Sequence, residues 1–495
     1  MSTIHRFGSV GLLAGLLSSG ALAAAQPEAP ATQPSQQELI DQLKALQSEV
    51  KDLRGQLNAQ QRQIQQQQQR ATAATTQPAG VATGGATTAD LLQDINHRQT
   101  LEINPLTGVW DPGKGFVIRS EDGAFLLHPW AFIQIRGVAN YRENNGLTGT
   151  GSSSTDAGLE LPRMKLILDG NMFSTDFTYQ FIWATTTEGS AAPTGGSLFL
   201  QDAWGRYHLP NTPFAIRAGN IRDPLDHEQI LFGTRSLTPE RSIVNNVLLG
   251  GDNIVKGVTF SFGYDRPTPN GDYSPVRVEA GYTNGMRNTD TNFQGFPTNP
   301  ATWGAAGRVD WKLFGRWIDY TQFTALDDKE PLLVIGAGGD VTAAGNTNQW
   351  TGVADVQFNT PNAITLYAAY MGQYTTNNAG APGTNGGSTT KGVFPDTYTS
   401  TFRFQGAYMF GRHFEPFGRY EYIHFDNLQL PKGAPHDVIQ DITVGFNYYF
   451  VGHRAKISCA ASYLPDGSPI ANTQSDLLVS GRNQVIVQAQ FQLMI

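Results

Sequence analysis

The sequence predicts an all-β fold, a transmembrane barrel of sixteen antiparallel strands preceded by a helical coiled-coil segment. Three observations carry that expectation. From Phe116 onward the chain repeats segments of about ten residues in which apolar and polar side chains alternate, separated by Gly, Asn, Asp or Pro. Charged residues make up only 15% of the chain, against 11% aromatic residues and 54 glycines, a balance that suits an all-β protein better than a helical one. No stretch after the N-terminal segment approaches the roughly 18 apolar residues of a membrane helix, so a membrane-spanning reading requires a closed barrel.

Residues 1–25 read as a secretory signal. His5 and Arg6 form a short basic region, VGLLAGLLSSGALA is the apolar run, and small residues follow through Ala25. Residues 26–35 are a polar, Pro-bearing linker. Over 36–70 the pattern turns helical: Leu39, Leu43, Leu46, Val50, Leu53, Leu57 and Ile64 fall in alternating steps of four and three, with Gln60 at the polar seam position. A single helix cannot bury such a seam, which implies self-association or a partner helix. Residues 71–115 are expected as a flexible linker and barrel approach, low in complexity over 71–90. Residues 116–495 are expected to form the barrel.

Parity fixes the strand number. A bacterial barrel with both ends on the periplasmic side needs an even count, with long extracellular loops alternating with short turns. Loops 143–157, 220–253, 285–302, 375–397, 426–436 and 465–482 are long, whereas the turns near Gly411 and Gly452 are tight. The two phases agree only if FGRWIDYTQFTALDDKEP is one extended periplasmic connection, which leaves sixteen strands. Among them are 158–172, 212–219, 254–264, 332–341, 349–359 and 483–494.

The 34-residue connection Asn220–Asn253 has no strand pattern of its own. Long connections of this kind are functional or disordered. Its aliphatic residues (Leu225, Ile230, Leu231, Leu237, Ile243, Val244, Val247 and Leu248) equip it to pack, and it is expected to fold into the lumen and narrow it. The next strand presents Val255, Gly257, Thr259, Ser261 and Gly263 on its inner face, small residues expected to give the loop a wall to lie on.

Several fragments, in order, resemble the phosphate-selective porin O and P family from Gly115 onward. They are GFVIRSEDGAFLLHPWAFIQIR, LPRMKLILDGNMFSTDFTYQF, LQDAWGRYHL, AIRAGNIRDPL, RSLTPERSIVNN, EPFGRYEYIHF and YLPDGSP. The chain departs from the pattern at Pro162, where another basic residue is expected. The resemblance implies a homotrimeric sixteen-stranded channel whose third extracellular loop folds inward and which passes small anions.

The lumen charge is legible independently of that resemblance. Strand side chains alternate, so charged residues on the polar face line the water. The inward bases are Arg136, Arg142, Arg163, Lys165, Arg206, Arg217, Arg277, Arg308, Lys312, Arg403, Arg419 and Lys456. The inward acids are Asp169, Asp202, Glu279, Asp310, Asp355 and Glu421. Twelve bases against six acids make the wall positive although the chain carries a net charge of -8, and rings of Arg or Lys favour anions. Arg136, Arg163, Lys165 and Arg217 on the wall, with Arg222, Arg235 and Arg241 on the loop, are the expected anion contacts. Against the loop bases stand Asp223, Asp226, Glu228 and Glu240, which marks the loop as a size gauge more than a binding site. The competing expectation is that Arg308–Asp310, Arg277–Glu279 and Arg419–Glu421 pair into a neutral ladder.

The negative net charge and the lack of a basic block argue against nucleic acid as a partner. The nine histidines show no metal-ligand spacing, no nucleophile motif appears, and a lone Cys459 excludes an internal disulfide. The chain is expected to need no cofactor and to be no enzyme. It is expected in the outer membrane, in contact with lipid, as a porin for passive diffusion of small anions, phosphate among them. Two alternatives stand beside this reading: a non-selective or carbohydrate porin, and a structural barrel that anchors the outer membrane to the cell wall through the coiled coil.

Overall fold

The alternating segments pair edge to edge until the last closes on the first. The computed structural model describes residues 106–111, 115–146, 151–185, 198–264, 274–287, 301–378, 394–430, 434 and 436–495. The chain divides into a unit over Met1–Gln93 and a unit over Asp94–Ile495. The expected signal, linker and coiled coil all lie outside the described residues.

A short hairpin, β1 (Thr107–Asp111) and β2 (Gly115–Arg119), leads into the barrel. The barrel strands are β3 (Leu126–Arg142), β4 (Ser154–Met172), β5 (Ser174–Thr185), β6 (Leu198–His208), β7 (Phe214–Arg222), β8 (Ile254–Phe262), β9 (Val276–Thr283), β10 (Trp303–Phe314), β11 (Leu332–Ala344), β12 (Thr347–Asn359), β13 (Ile364–Thr375), β14 (Thr397–Tyr408), β15 (Phe414–His424), β16 (Val438–Val451), β17 (Ala455–Leu464) and β18 (Gln484–Met494). Each pairs antiparallel with its neighbours. β18 closes on β3 from Gln484 opposite Arg142 to Met494 opposite Phe132. Closure leaves no unpaired edge, the condition for strands to cross a membrane.

The expected count of sixteen holds, and the differences lie at strand ends. β1 falls within the stretch expected as linker, where Trp110 pairs with Phe116. β4 begins at Ser154 rather than at 158, because its register against β3 continues upward to Arg142 opposite Ser154. β7 runs on to Arg222, so the inward connection starts at Asp223. β11 and β12 extend into a tight turn at Gly345 and Asn346, where a longer loop was expected. Gly345 has φ 59°, the left-handed conformation that a two-residue hairpin turn demands.

The outer face is apolar. Ile442, Val444, Val487 and Phe491 on β16 and β18 are all exposed, while Gln490, Gln492 and Asn447 on the opposite face are buried. Exposed rings gather near both ends: Tyr282, Trp350, Tyr398 and Tyr463 at the long-loop end, and Trp311, Phe410, Tyr448 and Phe450 at the short-turn end. An apolar band flanked by aromatic girdles is the lipid-facing surface of an outer-membrane barrel. Trp130 faces inward and donates from Nε1 to Asp169 at 2.7 Å.

Candidate functional site: the inward segment and the lumen wall

The connection Asp223–Asn253 turns into the barrel and is buried along almost its whole length. Asp226 caps a single helical turn over His227–Ile230 by accepting from the amide of Gln229. At the far end of that turn, one guanidinium nitrogen of Arg222 donates to the carbonyls of Gln229, Ile230 and Leu231 at 3.2, 3.0 and 2.6 Å. A cation thus meets the carbonyls that a helix terminus leaves unpaired. The segment passes so close to β11 that a Cβ on Gly338 would lie 2.0 Å from the carbonyl oxygen of Leu225.

The 315–331 connection contains no strand, as expected, but it also folds inward from the opposite end. Its Tyr320 stacks on His227 with centroids 3.8 Å apart and planes 5° apart, and Phe323 meets the same imidazole edge-on. Burial among these rings pushes the His227 pKa well below its ordinary value, with Arg308 adding to the effect. The two connections therefore meet inside the barrel.

An apolar cluster holds the upper part of the inward segment. Ile243, Val244, Val247, Leu248 and Leu249 pack on lumen-facing Val353, Met371, Ile423, Ile439, Leu464 and Ile486. These wall residues come from β12, β13 and β15 to β18. Sequence reasoning missed them because it took the inner face to be polar throughout. The signal was present as one apolar residue interrupting each polar row, as Ile486 does ahead of Gln488, Gln490 and Gln492.

The expected anion contacts are brought together, and each is matched to a protein group. Arg136 donates to Glu160 at 2.5 Å and to Glu240 at 3.1 Å, while Arg163 donates to the other oxygen of Glu240. Lys165 and Arg241 pair with Asp252 at 2.8 and 2.6 Å, and Arg222 lies 3.8 Å from the same carboxylate. Arg217 pairs with Glu279 at 2.5 Å. Arg235 donates to the hydroxyl of Thr321 on the 315–331 connection. Burial opposes the charge on Asp252, yet Arg241, Lys165 and Arg222 outweigh it and hold the carboxyl well below its usual range. Glu240 is lowered in the same way, with Arg163 and Arg136 overcoming burial. Loop carboxylates thus occupy the places at which these bases would meet an anion.

The charge count changes accordingly. Glu160, Asp340, Glu415 and Asp441 also face the lumen, so the expected excess of bases on the wall largely disappears. Asp252 raises the acids of the inward segment to five, and with Arg222 assigned to β7 its bases fall to two, Arg235 and Arg241. Of the pairs expected along single strands, Arg308 meets Asp310 at 2.7 Å and Arg419 meets Glu421 at 3.6 Å. Glu279 is held instead by Arg217 and Arg206 from neighbouring strands. Arg403 reaches Asp226 and Glu228 on the segment.

The segment does not lie on β8. It crosses to the wall formed by β10–β18, β3 and β4, because the carboxylate-binding bases and the apolar rows stand there. The small residues of β8 answer another demand: Thr259 donates to Glu279 at 2.6 Å, and a Cβ on Gly257 would lie 2.6 Å from the carbonyl oxygen of Tyr282. A cavity of about 230 Å³ lies between the segment and β5–β9. Arg206, Arg217 and Trp204 line it from the wall, and Ile230 and Phe232 from the segment. Arg206 and Arg217 lie over the Trp204 ring at 5.6 and 5.8 Å, and Arg206 and Arg277 over Tyr264 at 5.2 and 5.1 Å. Stacking on a ring gives each guanidinium a cation–π attraction that offsets part of its lost hydration.

A closed sixteen-stranded barrel with an apolar belt and a connection folded into its lumen has the architecture of an outer-membrane porin. No protein-family model matches the chain, and no curated protein sequence matches it. Among solved structures, it is similar to an anion-selective porin from Comamonas acidovorans, at 12% identity over 74% of this chain and 99% of that one, with a TM-score of 0.47. It is also similar to the outer membrane channel DcaP of Acinetobacter baumannii, at 12% identity over 76% and 99% of the two chains, with a TM-score of 0.44. Salmonella typhi OmpF in complex with daunomycin gives 15% identity over 75% and 98%, with a TM-score of 0.48.

Proposed function

We propose that the protein is an outer-membrane porin that passes small anions by diffusion, along the β5–β9 side of a lumen that the inward segment fills elsewhere. One observation carries this reading. Arg206, Arg217 and Arg277 keep intermediate exposure on that side, whereas Arg136, Arg163, Lys165, Arg308, Arg403 and Arg419 are buried in ion pairs or hydrogen bonds. Three arginines that solvent can reach thus stand together on the unfilled side, beside the separately placed Arg142, Arg235 and Arg287 of like exposure, and guanidinium groups offer planar donor pairs to carboxylate or phosphate oxygens. Phosphate as a solute and a homotrimeric assembly are supported by the resemblance to the phosphate-selective porins. The test is the reversal potential of the purified protein in a planar bilayer under a potassium chloride gradient. A potential on the chloride side is expected, and one on the potassium side overturns the reading.

The near balance of charge on the wall favours a second reading, a weakly selective or carbohydrate porin. Arg206→Gln with Arg217→Gln separates the two. Selectivity falls in the anion porin and stays unchanged in the weakly selective one.

A further inference from the structure

The cavity between the inward segment and β5–β9 is chemically two-sided. One side carries guanidinium groups. Nε of Arg206 and Nε of Arg217 are buried without a hydrogen-bond acceptor, although both residues share Glu279 through their other nitrogens. Glu279 is already engaged by Arg217 at 2.5 Å and by Thr259 at 2.6 Å, and Asp202 stands 3.6 Å from Arg222. Three arginines and two acids line the space, an excess of one positive charge, and Nη2 of Arg222 is likewise buried without an acceptor, against one unmatched acceptor, Oδ1 of Asp202. The apolar lining comes from Pro224, Ile230 and Phe232 on the segment and from the Trp204 ring on the wall, with the Arg222 guanidinium 4.9 Å over the Phe232 ring.

This pairing discriminates between anions. Phosphate needs acceptors satisfied all round its surface, and moving it against Ile230, Phe232 and Trp204 would strip hydration without return. A planar carboxylate on an apolar body satisfies both sides at once. Its oxygens meet the guanidinium donors, and its ring lies against the aromatic and aliphatic surface. A volume near 230 Å³ is below the roughly 300–1,000 Å³ of drug-sized ligands, which limits the occupant to about one ring. Gln180, Trp204, Ile230, Phe232 and Tyr264 all keep intermediate exposure, so the space is reachable from water.

We propose that this cavity is a binding site for small aromatic carboxylates, of which benzoate is the simplest. The proposal rests on the porin reading and narrows its solute class. The probe is benzoate, titrated calorimetrically into the full chain in detergent micelles, with inorganic phosphate in parallel. Saturable benzoate binding is expected, with phosphate at least about tenfold weaker. Phe232→Ala, on the segment rather than on a strand, is expected to weaken benzoate about tenfold, the scale of one buried ring contact. Trp204→Leu keeps apolar bulk without the ring and is expected to act likewise, and heat-shifted gel mobility identifies barrels that have folded. Benzoate binding that is missing, matched by phosphate, or unchanged in folded Phe232→Ala overturns the proposal. Reversal potentials on the same preparation keep the two readings apart. Anion preference without benzoate binding removes only the site, whereas cation preference with benzoate binding intact removes only the anion-porin reading.

Discussion

Lys165 on β4 donates to Asp252, at the return of the inward segment, over 2.8 Å, and both side chains are buried. Arg241 reaches the same carboxylate at 2.6 Å. Removing one member of a buried pair strands its partner, at a cost of about 3–5 kcal/mol. Asp252→Asn is therefore expected to loosen the segment and release two bases toward solvent. Single-channel conductance should rise and the reversal potential should move further toward chloride. An unchanged conductance with unchanged selectivity would show that the pair does not hold the segment.

The apolar ring makes an independent prediction. Leu248 is fully buried between the segment and the wall. Truncating a buried leucine costs about 2–5 kcal/mol, and an amide left without partners adds to that. Leu248→Asn is expected to open the segment to limited proteolysis within 223–253 and to raise conductance. Leu428→Asn, at a site 65% exposed, is the control and should change neither.

The strands were legible because a period of two is local and each segment repeats it. The route of the inward segment was not. Glu240 and Arg136 stand 104 positions apart, and nothing in either neighbourhood announces the pair. The same limit explains the charge count. Bases could be assigned to the inner face by alternation, but whether solutes can reach them depends on which acids the segment brings across. The turn at Gly345 and Asn346 was readable in principle from its Gly-Asn pair. The lumen-facing Ile486 and Met371 were harder to read, since an apolar residue in a polar row has meaning only once its partner is known.

Contact between backbones supplies a sharper test. A methyl group on Gly338 would fall 2.0 Å from the carbonyl oxygen of Leu225, and neither atom belongs to a flexible side chain. Gly338→Ala should push the start of the segment off β11 while the barrel pairs as before. A cysteine placed at Leu225 reports this: its labelling rate by a water-soluble thiol reagent is expected to rise at least severalfold in the Gly338→Ala background, and the buried Leu225 makes the starting rate low. Equal rates in both backgrounds would mean that the close approach is not what seats the segment.

The loop over 465–483 adds a pH dependence. Asp476 sits near Arg136 at 3.7 Å and accepts from Gln488 at 2.6 Å. Burial nevertheless dominates and raises its carboxyl from 3.8 to about 6, with Arg136 opposing. A folded-state pKa above the unfolded one means that the packed loop binds the extra proton between those values. Its stability contribution is complete below pH 3.8 and is lost as the pH rises through about 6. The loop should therefore pack more firmly in acid. Conductance is expected to be lower at pH 4.5 than at pH 7.5, with the change centred near 6. In Asp476→Asn the side chain stays neutral at every pH, so that step should vanish and conductance should remain near the acid value. A step that survives the substitution would place the titrating group elsewhere in the lumen.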